Sequence, residues 1–242
     1  MIGTILNVGG ILIGGAVGLA RGKSLSPANE SFFRVALSAF TVFYGLRLTW
    51  LSLNGSVWQV LKQLLIVVLA LMLGKLTGRL LHLQKMSNRI GQRARERMER
   101  AAATGRYDLG DGFKVCGALL CAAPLGILGA VQDGLTHSEY FYALAVKGVI
   151  DGLAIIGFIL VFGWSVILAA VPVLAVQGTI TLICARALEP ILAPQGLIDP
   201  INAVGGLLVF CVALVMLGLK RIELADYLPS LAFAPLIAWL WR

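Results

Sequence analysis

Charge is scarce in this 242-residue chain: Asp, Glu, Lys and Arg together make up 13%, about half the share of an ordinary soluble domain. That excludes a water-facing globule of normal composition. With 59% hydrophobic residues, a disordered tail is excluded too. Histidine is nearly missing, with only His82 and His137 in the whole chain, so no His-built metal site is expected. The four cysteines, Cys116, Cys121, Cys184 and Cys211, form no C-x-x-C spacing and sit in apolar runs. They read as small buried hydrophobes, neither disulfides nor metal ligands. No ten-residue stretch alternates apolar and polar residues, which excludes a membrane β-barrel. G-x-S-x-G, H-E-x-x-H, a P-loop and any Ser–His–Asp set with a deeply placed histidine are also missing. The chain is therefore not expected to be an enzyme, and no cofactor is expected.

What is present is apolar sequence in long runs, with a mean hydropathy of +0.89. The runs cover 2–20, 33–53, 57–81, 113–131, 141–162, 164–187, 201–219 and 225–241. At roughly 20 residues per crossing, they predict an all-α polytopic membrane protein with about eight transmembrane helices. The division inside 141–187 rests on a tight turn at 162–165. The first run has neither a basic lead nor a small-residue cleavage pattern, so it reads as a retained helix rather than a signal peptide.

The net charge of +8 is unevenly spread. Between Leu83 and Asp108, Lys85, Arg89, Arg93, Arg95, Arg97, Arg100 and Arg106 face Glu96, Glu99 and Asp108, a net +4 and half the total. The stretch holds a single aromatic residue, Tyr107, and no folded basic module, so nucleic acid is not an expected partner. Beside membrane spans, such clusters mark the cytoplasmic side. The connectors holding Arg21 and Lys23, the stretch 83–108, and Lys220 and Arg221 are basic. They alternate with the neutral turn at Asn54-Gly55 and the acidic connectors holding Asp133, His137 and Glu139, or Glu189 and Asp199. The expected localisation is a bacterial inner membrane, with both termini outside and 83–108 cytoplasmic. Trp50, Trp58, Trp239 and Trp241 then fall at outer span ends and Trp164 at an inner turn, as interfacial rings should.

The two ends of the chain resemble each other. A three-span repeat over 1–82, a basic amphipathic connector over 83–108, two central spans over 109–163 and a second three-span repeat over 164–242 give a single membrane domain in a 3+2+3 arrangement. The two repeats would lie inverted, as in many secondary transporters.

Polar residues inside the apolar runs nominate a site. Pro124 interrupts the fourth run, with Gly126 close behind and Asp133 further on; Asp133 reads either as a site residue or as a solvated carboxylate at the outer span end. Lys147-Gly148 and Asp151-Gly152 follow in the fifth run. Lys147 and Asp151 lie four apart, on one helix face, where they neutralise each other. Charge at membrane depth is costly, so the pair reads either as a structural lock or as working machinery. Pro172 and Gln177-Gly178-Thr179 mark the sixth run as a second interrupted span, and interrupted spans expose backbone near the membrane midplane. Gly10, Gly14 and Gly18 form a face suited to close helix packing or to lining a path. In the basic stretch, Met86, Ile90, Ala94 and Met98 recur every four residues beside a stripe of Arg89, Arg93, Arg97 and Arg100. That pattern suits a helix lying on the inner leaflet with arginines at lipid headgroups, or a solvated linker.

Several ungapped motifs in order carry a resemblance over nearly the whole chain: Met1-Ile2-Gly3-Thr4-Ile5-Leu6-Asn7, Gly126-Ile127-Leu128-Gly129 with Gln132-Asp133-Gly134-Leu135, Lys147 with Asp151-Gly152, Gln177-Gly178-Thr179-Ile180-Thr181, Ala203-Val204-Gly205-Gly206, and Leu228-Pro229 with Ala234-Pro235. On these the sequence resembles domain-of-unknown-function family 554, uncharacterised bacterial membrane proteins of the YdfK/YqgA type. The resemblance implies a multi-pass inner-membrane protein and supplies no substrate. Arg47 is atypical and reads as snorkelling outward beside Trp50.

The expected function is transport of a small solute or ion, as carrier or channel, from a site between the fourth, fifth and sixth spans. Asp133 and Asp151 supply negative charge, Lys147 balances or gates it, and Gln177 and Thr179 coordinate. The coupling ion would be a proton or sodium. Membrane lipids and a second copy of the chain are the other expected partners. The competing reading is a non-transporting scaffold or regulator that packs onto another membrane protein through its glycine faces.

Overall fold

The computed structural model describes residues 1–104, 109–136 and 140–241. Arg106, Asp108, His137 and Glu139 of the charge analysis lie outside them. Twelve α-helices occur among the described residues: α1 (Ile2–Arg21), α2 (Pro27–Leu51), α3 (Val57–Leu80), α4 (Leu83–Thr104), α5 (Leu109–Cys121), α6 (Pro124–Leu135), α7 (Tyr142–Phe162), α8 (Ala170–Ile183), α9 (Glu189–Leu192), α10 (Ile198–Met216), α11 (Leu224–Tyr227) and α12 (Ser230–Leu240). No strand is present among those residues. Five helical stretches are long and apolar enough to cross a membrane, and α5 with α6 makes a sixth if the bent pair counts as one span. Large apolar side chains on these helices face outward, Ile13 at 67% and Leu76 at 67% exposure among them. Such a surface suits hydrocarbon, not water.

The chain folds into two compact units that cut across the sequence segments: Met1–Ser31 with Met86–Ile183, and Phe32–Lys85 with Cys184–Arg242. In the first, α1 buries Gly3, Thr4, Asn7, Ile11, Gly14, Gly15 and Gly18, the three-and-four spacing of one helix face. That face meets α7 in parallel. Gly10 rests on the backbone of Gly148, Gly14 on that of Gly152, and Gly18 on Ile156 and Ile159. The same helix meets α8 and the 3₁₀ segment before it in the opposite sense, Thr4 with Thr181, Asn7 with Gln177 and Gly15 with Ile167. So the continuous apolar stretch Tyr142–Gln195, 54 residues long, reverses direction. It does so at Gly163, which ends α7 with φ 70°, a conformation that glycine takes without steric cost. A 3₁₀ segment, Gly163–Ala169, leads into α8. Pro172 therefore sits in the first turn of α8, where its missing N–H breaks no helical hydrogen bond. The irregularity expected around Pro172 lies before it.

Helices α5 and α6 are 13 and 12 residues long, each roughly 20 Å and too short to cross alone. They join at a 61° bend. Pro124 opens α6, and its preceding residue Ala123 is extended, as a residue before proline prefers. The interruption expected at Pro124 is present.

The basic stretch is the helix α4. Its Ala94 and Ala101 are buried with Val115, Cys116, Phe162 and Val166, and Met98 packs against the same group. The apolar stripe is therefore taken up by the protein itself over these positions, while Met86 stays 56% exposed. Arg97 pairs with Asp111 at 2.8 Å, and Arg89, Arg93 and Arg100 point outward.

In the second unit, α2 meets α10 through Gly45 on Gly206 and Phe210, and through Thr49 Oγ1 donating to the Ala203 carbonyl at 3.2 Å. Helix α3 meets α11 and α12 through Gly74 on Ser230 and Gly78 on Asp226. Both pairings are antiparallel. A capping box of Ser56 and Gln59 starts α3. Asp226 Oδ1 accepts from the Gln84 amide at 2.8 Å, and Gln84 Oε1 accepts from the Ala225 amide at 3.0 Å, tying the start of α4 to α11. Arg47 is exposed beside Trp50, along one shallow apolar groove, as its snorkelling reading requires.

Candidate functional site

Inside the first unit, α1, α6, α7 and α8 bring polar side chains together in an otherwise apolar interior. Lys147 and Asp151 form a buried ion pair, with side chains 2% and 6% exposed. One turn of α7 separates them, so the helix alone sets their contact. Asn7 donates to Gln177 Oε1 at 2.9 Å across 170 positions of sequence. Gly126 fits where it does because any side chain there would meet the Lys147 stem and the Gln177 amide. Pro124 thus delivers the α6 backbone to the ion pair. Thr4 and Thr181 lie 3.2 Å apart, and Thr181 donates to the Ala130 carbonyl at 3.2 Å.

Asp133 is buried rather than solvated. Its Oδ1 accepts from the Gly3 amide at 3.3 Å, and Oδ2 lies 3.3 Å from the Met1 amino nitrogen. It stands two turns along α6 from Gly126, and carries its charge to the first turn of α1, where a carboxylate is favoured by the helix dipole.

Several polar atoms in this interior have no hydrogen-bond partner: Asn7 Oδ1, Gln177 Nε2, and both Gln132 Nε2 and Oε1. Buried groups of this kind are ordinarily paired, and each one left unpaired costs about 1–3 kcal/mol. Acceptors and donors are both on offer.

Of the residues nominated by sequence, Lys147, Asp151 and Gln177 converge with Gly126, Gly148 and Gly152 around them, Gly178 faces Met1, and Asp133 joins through α6 and α1. Thr179 does not. It is exposed on the opposite face of α8, because two residues turn a helix by about 200°; Thr181 is the threonine that faces inward. Thr4, Asn7 and Gln132 complete the set without having been nominated. Thr4 and Asn7 share a face with Gly3, Gly14 and Gly18, and that spacing was the available signal.

A cleft of about 540 Å³ opens beside the bend of α5 and α6, lined by Ser87, Asn88, Arg95, Ala122 and Ala123.

Residues 2–239 match the family model described as Protein of unknown function (DUF554). The chain is 27% identical over 237 residues to "Uncharacterized membrane protein YdfK" of Bacillus subtilis (strain 168), covering 98% of this chain and 95% of that protein. It is 28% identical over 244 residues to "Uncharacterized protein YqgA" of Escherichia coli (strain K12), covering 100% of this chain and 97% of that one. No solved structure matches.

Proposed function

The chain belongs to the family Protein of unknown function (DUF554) and is a multi-pass helical membrane protein; since neither fact names an activity, we propose one from the residues themselves. It is a transporter or channel for a small solute or ion, and the polar interior of the first unit is its site. The observation that carries this reading is the set of buried polar atoms without partners beside a buried ion pair. A purely structural interior would have little use for them. Asp151 and Asp133 are the carboxylates for a proton or a sodium ion, Lys147 balances Asp151, and Asn7, Gln132 and Gln177 supply amide oxygens suited to a hard cation. The entrance we assign to this site is the cleft beside the bent span, on the side of α4.

The glycine faces that a scaffold would present are already occupied: Gly10 and Gly14 are closed against Gly148 and Gly152. That argues for the transport reading over the scaffold. In the absence of any catalytic set, no enzymatic activity is proposed.

Eight crossings fit the apolar stretches once Tyr142–Gln195 is counted as two passes and α11–α12 as one. The antiparallel pairing of α1 with α8, α2 with α10 and α3 with α12 supports an inverted duplication, in which each helix meets its counterpart. The positive-inside rule places 83–108 in the cytoplasm of a bacterial inner membrane, with both termini outside. Asn54→Cys should then react with an impermeant thiol reagent in cells with a permeable outer layer, and Ser87→Cys should not. Labelling at Ser87 alone would invert the orientation.

Purified protein in sealed vesicles should pass at least one of protons, sodium, potassium or amino acids, and Asp151→Asn should slow that flux by tenfold or more. Equal flux for both proteins across the whole panel removes the transport reading.

A further inference from the structure

The second unit holds a cavity of about 280 Å³, remote in composition from the polar interior described above. Its floor is mostly apolar and closed: Ile66, Val67 and Ala203 are each no more than 4% exposed. Its polar wall carries Lys62, Asp199 and Gln195. The Lys62 ammonium donates to the Trp241 carbonyl and sits 5.9 Å from the centre of that indole ring. That uses one of its three N–H groups. Asp199 is exposed at the cavity mouth and has neither a hydrogen-bond nor an ion-pair partner among the described residues. Two opposite charges thus line one small cavity without pairing to each other, over a mostly apolar floor that includes Ser52, whose hydroxyl donates to the Leu48 carbonyl.

A lone ion is a poor match for that arrangement, because each sign in the wall meets its opposite. A fully apolar ligand would cover both charges without satisfying either, which is expensive. We propose that this cavity binds a small zwitterion, an α-amino acid with an apolar side chain. Its carboxylate takes the remaining N–H groups of Lys62, its ammonium takes Asp199, and its side chain lies on Ile66, Val67 and Ala203. The size suits a metabolite, lying just under the usual range for drug-sized ligands.

The competing account gives both residues other duties. Asp199 stands in the first turn of α10, where a carboxylate favours the helix dipole, and Lys62 holds Trp241. The two accounts separate on the full chain in detergent, by calorimetric titration and thermal unfolding with L-leucine. Leucine should bind and raise the melting temperature with concentration, as mass action requires. Leucinamide, which lacks the carboxylate, and 4-methylpentanoate, which lacks the ammonium, should each bind at least about tenfold more weakly. Lys62→Met and Asp199→Asn should each weaken leucine by a similar factor, while Gly9→Ala, whose added Cβ meets nothing within 4 Å, leaves it unchanged. The analogue series on the unmodified protein decides the matter if either variant fails to fold. No binding of leucine, valine, methionine or phenylalanine overturns the proposal, and so does equal binding of leucine and both analogues. The outcome is independent of the flux measurement, which addresses the other unit.

Discussion

Gly10→Leu and Gly14→Leu should each cost the protein most of its thermal stability in detergent, and Gly9→Ala should cost nothing. A Cβ on Gly10 would fall on the Gly148 carbonyl group, and one on Gly14 on that of Gly152. Overpacking a core of side chains costs about 1–3 kcal/mol, because side chains can shift. Here the obstacle is backbone on a parallel neighbouring helix, so both values should reach or exceed the upper end. Relief would need α1 and α7 to separate along their whole contact, which also pulls Asn7 from Gln177. Gly9, one position away, has nothing within 4 Å of a Cβ. Alanine there should add roughly 0.5–1 kcal/mol through helix propensity alone. Unfolding curves of the three variants check both signs at once. Equal stability for Gly14→Leu and the parent would refute the parallel α1–α7 packing.

The second large effect is expected at the ion pair. Lys147→Met or Asp151→Leu alone leaves a buried charge without its partner, at a cost of about 3–5 kcal/mol. The double variant should recover much of that loss, since an apolar pair of similar volume avoids desolvation. If Asp151 works as an ion or proton site, the parent should gain stability with rising sodium, potassium or acidity, and the double variant should be blind to the same series. Thermal unfolding of the four proteins across those series reads both effects. A parent indifferent to every ion and to pH, matched by an equally stable double variant, would make the pair purely structural and remove Asp151 from the site.

Periodicity and composition carried the sequence a long way, and their failures have physical causes. Pro124 announces its own break, because a proline ring and its constraint on Ala123 act locally. The ion pair is equally local: four residues on a helix fix it. Gly10, Gly14, Gly148 and Gly152 were legible as close-packing faces, yet nothing in the spacing says that the two faces meet, or that they run parallel. Thr179 was chosen over Thr181 because a motif was read as a block, while a helix sorts its residues by angle. Asn7 stayed unnominated although a polar amide in an apolar span is costly by the same logic as Lys147. Its partner, Gln177, lies 170 positions away, beyond any local pattern. The stripe of Ala94 and Met98 is visible as apolar, but nothing local in the sequence says that Phe162 and Val166 pack against it.

The parallel seat of α1 on α7 and its hydrogen bond to α8 also set an order of events during synthesis. Helix α1 leaves the ribosome before α7 and α8, carrying Thr4 and Asn7 into the bilayer with neither partner yet made. At about 5–20 residues per second, Gln177 follows Asn7 by on the order of ten to thirty seconds. Until Gly148 and Gly152 of α7 follow, the glycine face of α1 is open to any other helix in the membrane, and until α8 follows Asn7 lacks Gln177. A chain cut short before α7 would leave both unseated permanently. Such fragments should be prime substrates for membrane quality-control proteases, and the intact chain should resist them only once its sixth apolar run has folded back onto its first.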